Sequence, residues 1–210
     1  MKNVLKLFIA VLGISFTSSL YAQTFGIKGG LNSAKIILKE NEEDLSEDFD
    51  PLLGFHAGLT AEFPINNLFS FQTGALLSTK GMKFEELNSV VDITSKMNLL
   101  YLDIPLHLKA NFGSSEGLNI YALAGPYVGI GLVGKIKTEG KFMDEEYSNV
   151  DDIKFGSNEE DDLKRLDYGV SVGAGIELKK ITIGATYNLG LANLATDTNN
   201  GEKVNHRVFQ

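Results

Sequence analysis

Cysteine and tryptophan are absent from this 210-residue chain, and it has only four prolines and three histidines. Without cysteine there is no disulfide, no thiol nucleophile and no lipid attachment through an N-terminal Cys. The absence is compatible with any compartment, so it does not locate the protein. Basic residues are outnumbered by acidic ones, 19 to 27. That balance argues against nucleic acid as a partner, because its phosphates need a basic surface. Long hydrophobic runs are missing too. The longest, residues 7–16, is about ten residues, well short of the ~20 that a spanning helix needs. Helical periodicity appears nowhere with any strength.

What is present begins with the N-terminus. Lys2 and Lys6 precede the apolar run, and Thr17, Ser18, Ser19, Leu20, Tyr21 and Ala22 follow it. A charged start, a short apolar stretch and a small residue at the cut describe a secretory signal peptide over residues 1–22. Residues 23–210 are then one outer-membrane β-barrel domain by the argument below. Losing Lys2 and Lys6 takes the net charge from −8 to −10.

The remaining chain alternates with period two, the signature of strands with one apolar and one polar face. In the stretch LLYLDIPLHLKANF, Leu100, Leu102, Ile104, Leu106, Leu108, Ala110 and Phe112 interleave with Tyr101, Asp103, Pro105, His107, Lys109 and Asn111. The same alternation marks TFGIKGGLN, LLGFHAGLTAEF, LDYGVSVGAGIEL and ITIGATYNL, and less cleanly FSFQTGALLSTK. In NIYALAGPYVGIGLV the apolar phase changes once, and a bulge at Gly125–Pro126 would restore one apolar face. These are seven strands, with KVNHRVFQ as an eighth. Short connections (64–67, 113–117, 179–180) alternate with long ones (about 35–52, 81–96, 134–164 and 190–202). One end therefore carries tight turns and the other long loops.

Either face of such a barrel can be the inner one. A soluble, lipocalin-like ligand binder would put the leucines inside, leaving Gly26, Gly30, Gly54, Gly58, Gly74, Gly169, Gly173, Gly175 and Gly184 on its exterior. Glycine-rich solvent faces on strands are entropically costly. Inside a narrow barrel those glycines leave room for long polar neighbours. Lys28, Glu62, Asp103, Lys109, Asp167 and Glu177, with His56 and His107, then point inward with mixed signs that can pair. Phe25, Phe63, Phe69, Phe112 and Tyr121 fall near the short-turn end, where an interfacial girdle belongs, and short turns opposite long loops suit an outer-membrane barrel. The reading is an all-β, eight-stranded, antiparallel up-and-down transmembrane β-barrel with a short or incomplete last strand.

The segments YLDIPLHLK, FGIKGGLN after a signal, ALAGPYVGI and DYGVSVGAGIEL resemble the outer-membrane β-barrel (PorT-like, porin-family) proteins of Bacteroidota-type bacteria. The likeness spans nearly the whole mature chain. It implies an eight-stranded barrel in the cell outer membrane, in a family with many members of unassigned role and some linked to secretion and gliding machinery. Family members continue past this point to a terminal aromatic that the barrel-insertion machinery reads, whereas this sequence stops at Phe209–Gln210.

No residue is assigned a catalytic, cofactor-binding or metal-binding role, and the chain is not read as an enzyme. Asp103 and His107 share a face but lie about 13 Å apart along a strand, too far for a dyad. Glu40, Glu42, Glu43, Asp44, Glu47, Asp48 and Asp50 crowd the first long loop. Asp144, Glu145, Glu146, Asp151, Asp152, Glu159, Glu160, Asp161 and Asp162 crowd the third. They lack the spacing of an EF-hand. Solvated acidic loops are the bland account; divalent cations or an extracellular partner are the sharper one. Eight strands enclose an interior just wide enough for side chains to fill, so a plugged lumen is expected rather than a small-solute pore. The expected partners are outer-membrane lipid and the insertion machinery, and the role is structural, adhesive or accessory.

Two further expectations concern strand length. MKFEEL, VVDITSKMN and KIKTEG extend strands three, four and five beyond the barrel on the long-loop side. The last strand, of eight residues, falls short of the 9–11 that cross a membrane. It should pair with only the upper part of strand one and leave residues 25–28 partly unpaired.

Overall fold

The computed structural model describes residues 23–40, 43–44, 49–87, 91–113, 117–142, 145–156, 158, 160–196 and 202–210. The expected signal peptide lies outside them, as do Glu42, Glu47, Asp48, Asp144 and Glu159 of the acidic loops. Eight strands form the barrel: β1 (Thr24–Glu40), β2 (Leu52–Pro64), β3 (Phe69–Leu87), β4 (Val91–Gly113), β5 (Leu118–Phe142), β6 (Leu166–Leu178), β7 (Ile181–Gly190) and β8 (Lys203–Phe209). Each pairs antiparallel with its neighbour in sequence, and β8 returns to β1. The ring is an up-and-down barrel.

The leucine face is the outer one. On β4, Tyr101, Asp103, His107 and Lys109 are at most 5% exposed, while Leu106, Leu108 and Phe112 are 38–53% exposed. Ile27, Leu31 and Leu53 are 80–90% exposed on the outside of β1 and β2. This is the reverse of a soluble lipocalin-like barrel. The polar phase is inside because closing eight strands leaves a bore that long polar side chains fill from opposing walls.

Strands β4 and β5 have 23 and 25 residues. At about 3.3 Å per residue and a tilt near 45°, such strands rise roughly 55 Å, twice an apolar band of about 25 Å. Their upper halves therefore project beyond it. Lys83, Phe84 and Glu85 of β3 pair with Lys96, Ser95 and Thr94 of β4, as expected of an extended hairpin. A further strand, Glu145–Ile153, folds back on residues 134–142 of β5.

Closure is uneven. Strand β8 pairs with β1 from Ser33↔Phe209 to Lys39↔Lys203, and with β7 at Tyr187, Asn188 and Leu189. Gln210 adds two backbone bonds to Thr186, of 2.8 and 2.9 Å. Residues 24–32 of β1 and 181–185 of β7 are thus paired on one side only. The expectation of upper-half pairing is met.

Two local expectations are corrected. There is no register shift at Gly125–Pro126: Pro105↔Tyr127 and Leu108↔Ala124 keep the same register across it. The shift lies instead between Leu100 and Tyr101, which pair with Val133 and Gly131, leaving Leu132 as the extra residue. Tyr121 and Leu123, each 7% exposed, point into the barrel, so Tyr121 is not part of an outer aromatic girdle. The apolar residues that break the alternation are interior fillers.

Candidate functional site

The interior is built in layers along β4, whose inward residues step from Lys109 at the short-turn end to Leu99 at the long-loop end. In the lowest layer, Lys109 Nζ donates to Glu62 Oε2 at 2.9 Å and to Glu177 Oε1. Glu62 also accepts from Ser70 Oγ at 2.5 Å. The Tyr121 ring lies 4.8 Å from the ammonium. Its hydroxyl reaches across to the spot where a Cβ on Gly184 would stand, so glycine there is a steric requirement.

The next ionic layer is fully enclosed. Lys80 Nζ donates to Asp103 Oδ1 and Asp167 Oδ2, both at 2.8 Å, and all three side chains are at most 7% exposed. Tyr127 donates its hydroxyl to Asp167 Oδ2 at 3.3 Å, and His206 Nδ1 lies at the same distance from that oxygen. The ammonium sits 4.5 and 4.9 Å from the Tyr101 and Tyr127 ring centroids. A buried cation with two carboxylates and two aromatic faces has most of its lost hydration replaced. Beside it, Asn32 bridges three strands: its amide donates to Ser78 Oγ at 3.1 Å and to the Thr79 carbonyl at 2.9 Å. Its Oδ1 lies 2.7 Å from His56 Nδ1.

Between the layers is a chamber of about 10 Å³ lined by Lys28, His107, Ser171, Asn188 and Gln210, among others. That is the room a single water takes. His107 has no hydrogen-bond partner among the described residues. It does not meet Asp103, as the strand spacing requires.

Above the ionic layers, the long-loop mouth holds an apolar cap. Phe155, Leu163, Ala192, Leu194 and Ala195 descend from the loops and pack on Leu99, Tyr101, Ile36 and Val204 of the barrel wall. Leu194 is fully buried. The loops are tied down by their backbones: Lys164 N donates to the Leu194 carbonyl and Leu194 N to the Val204 carbonyl, each at 2.9 Å. Phe155 stands edge-on to Tyr101, centroids 5.6 Å apart. It occupies space that any side chain on Gly131 would take, its ring lying 2.7 Å from a Cβ there.

The inward set read from the sequence is therefore gathered in the bore, but its pairing is only partly as expected. Lys109 does meet Glu62. Asp103 and Asp167 meet Lys80, which the sequence reading missed because the neighbouring Leu76 and Leu77 blur the phase of β3. Leu76 points inward, 4% exposed. His206 was missed as an interior residue too, although its place between Val204 and Val208 carries the phase. Among the described residues no group of three or more His, Asp or Glu is placed to hold a metal ion.

A closed antiparallel barrel with an apolar exterior, an ionic interior and short turns opposite long strand extensions is a transmembrane β-barrel of the outer-membrane kind. The family comparison agrees: the model for the outer membrane protein beta-barrel domain matches residues 21–196. The chain belongs to that family and resides in the outer membrane. Solved structures of Ail, the attachment invasion locus protein of Yersinia pestis, are similar at 17% identity over 89% of this chain and 94% of theirs, one of them in complex with the heparin analogue sucrose octasulfate. Their TM-scores are 0.32 and 0.33. No curated protein matches the chain.

Proposed function

We propose that this protein is a non-conducting, non-enzymatic outer-membrane barrel that displays a rigid projecting sheet and acidic loops, in a structural, adhesive or accessory role. The observation that carries the reading is the filled bore: two ion-pair layers beneath a cap anchored in two different loops. An open pore would need neither. Support for display comes from β3, β4, β5 and Glu145–Ile153, which form a continuous hydrogen-bonded sheet above the barrel. Such a sheet holds a surface in place where a loose loop would leave backbone groups to water. The non-enzymatic reading draws on the interior histidines: His56 is engaged by Asn32, His107 has no hydrogen-bond partner among the described residues, and the Asp167 oxygen beside His206 already accepts from Lys80. A PorT-like affiliation rests on the segments quoted above, and it carries with it the insertion machinery and surrounding lipid as partners. A weak divalent-cation site or a basic extracellular partner at the acidic loops belongs to the same proposal.

Planar-bilayer recording tests the closed lumen. We expect small or no conductance from the purified protein. Large, steady, nanosiemens-scale currents would return the small-solute pore to first place.

A further inference from the structure

Lys28, Lys80 and Lys109 point into the bore, and only the last two have carboxylates. Lys109 holds Glu62 and Glu177, and Lys80 holds Asp103 and Asp167. The carboxylate in excess in each triad is met by hydroxyls: Ser70 donates to Glu62, Thr182 to Glu177 and Tyr127 to Asp167. Lys28, on β1, lines the chamber between the triads and is partly buried. It has no ion pair among the described residues. An ammonium withdrawn from water is costly without a counter-charge.

The rest of the chamber faces Lys28 with further donors. His107 is 4% exposed and Ser171 1%, and neither the imidazole nitrogens nor the hydroxyl has a partner. Asn188, 7% exposed, brings its amide from β7. A neutral imidazole donates through one nitrogen, a hydroxyl donates one hydrogen and an amide two. With the ammonium, these donors come from β1, β4, β6 and β7 to one space of about 10 Å³. Water there satisfies His107 and Ser171 but brings no charge for Lys28. The carboxylate in the lining, Asp103, is bound to Lys80 at 2.8 Å and confines a negative occupant to the Lys28 side.

We propose that this chamber binds one small monovalent anion of chloride size, held by Lys28, His107, Ser171 and Asn188. Its size excludes phosphate, sulfate and carboxylates, and one unpaired cation calls for one negative charge. The proposal rests on the enclosed bore and not on what the loops meet. Nanosiemens conductance would remove the enclosure, whereas failure to bind halide would leave it standing.

The test is a titration of the full chain, refolded into detergent micelles and isotope-labelled at its histidines. Sodium gluconate is replaced stepwise by chloride or bromide at constant ionic strength, so that screening does not change. We expect the His107 ring signals to shift and saturate with either halide. Lys28→Gln should abolish the response. Ser171→Ala, which removes a hydrogen bond to a charged occupant, should weaken binding about tenfold. Lys180→Gln, in the short turn, should leave it unchanged. Crystals of the unaltered protein grown from bromide should show an anomalous peak within hydrogen-bond distance of Lys28 Nζ. No halide-dependent shift, a shift that does not saturate, or unchanged affinity in Lys28→Gln would each overturn the proposal. Should Lys28→Gln not refold, the bromide position decides: a peak in the chamber upholds the site, and its absence overturns it.

Discussion

The upper and lower halves of this barrel solve the same problem to different degrees. In the upper half β8 joins β7 to β1 and completes the ring, the Lys80 layer is sealed from solvent, and an apolar cap closes the mouth. In the lower half β1 and β7 each have a bare edge, and the carboxylates that hold Lys109 are 22% exposed. The two layers have the same composition, one lysine between two carboxylates. They teach that an ion triad of fixed chemistry differs in weight according to how completely the wall around it is closed.

The largest expected effect breaks the sealed layer. Lys80→Met leaves Asp103 and Asp167 buried together without their cation, and we expect a loss of about 3–5 kcal/mol in denaturant unfolding from bilayers. A loss below about 1 kcal/mol would mean that the upper layer is no tighter than a surface pair. The outer wall comes next. Ile104→Arg puts a charge in the apolar band, and we expect a cost of about 2–4 kcal/mol. Asp103→Asn, one residue away but facing inward and leaving Lys80 with Asp167, should cost less. The opposite order would turn the barrel inside out.

The comparison sharpens with Lys109→Met. Its partners reach water, so solvent screening discounts the loss to about 1–2 kcal/mol, well under that of Lys80→Met. Equal losses for the two lysines would erase the distinction between the halves. Amide exchange gives a finer view. Ser33 and Ala34 of β1, laddered on both sides, should exchange far more slowly than those amides of residues 24–32 that face the bare edge. Uniform protection along β1 would show the lower half to be closed.

The smallest effect lies outside the membrane. Glu139 is held below the usual carboxylate range by the hydrogen bond and charge of Lys137, with Lys96 adding a little. A lowered carboxyl favours the folded sheet above the ordinary glutamate value and loses that favour as pH falls through its own. Lys137→Gln should therefore raise the Glu139 titration midpoint toward the ordinary value by NMR. Unfolding at neutral pH should be unchanged, since the pair is on the surface.

Period-two alternation from Leu100 to Phe112, alternating loop lengths and glycine on the polar phase determined the class by themselves: eight strands, apolar outside, charged inside. Those features are local, each strand stating its own two faces, so no knowledge of its neighbours is needed. The projecting hairpins were legible for the same reason, because MKFEEL and KIKTEG continue their alternation past the apolar band. Tertiary structure alone decided which charges meet. Lys80 and Asp167 lie 87 residues apart, and only the registers of β3, β4, β5 and β6 bring them together across the bore. The same holds for the cap, whose Phe155 and Leu194 look like ordinary loop residues until the mouth beneath them is closed. The bulge sits at Leu132 rather than at the glycine–proline pair because phase along one strand does not reveal which interior volumes its partners leave empty. Tyr121 and Leu123 fill such a volume, and only the closed ring defines it.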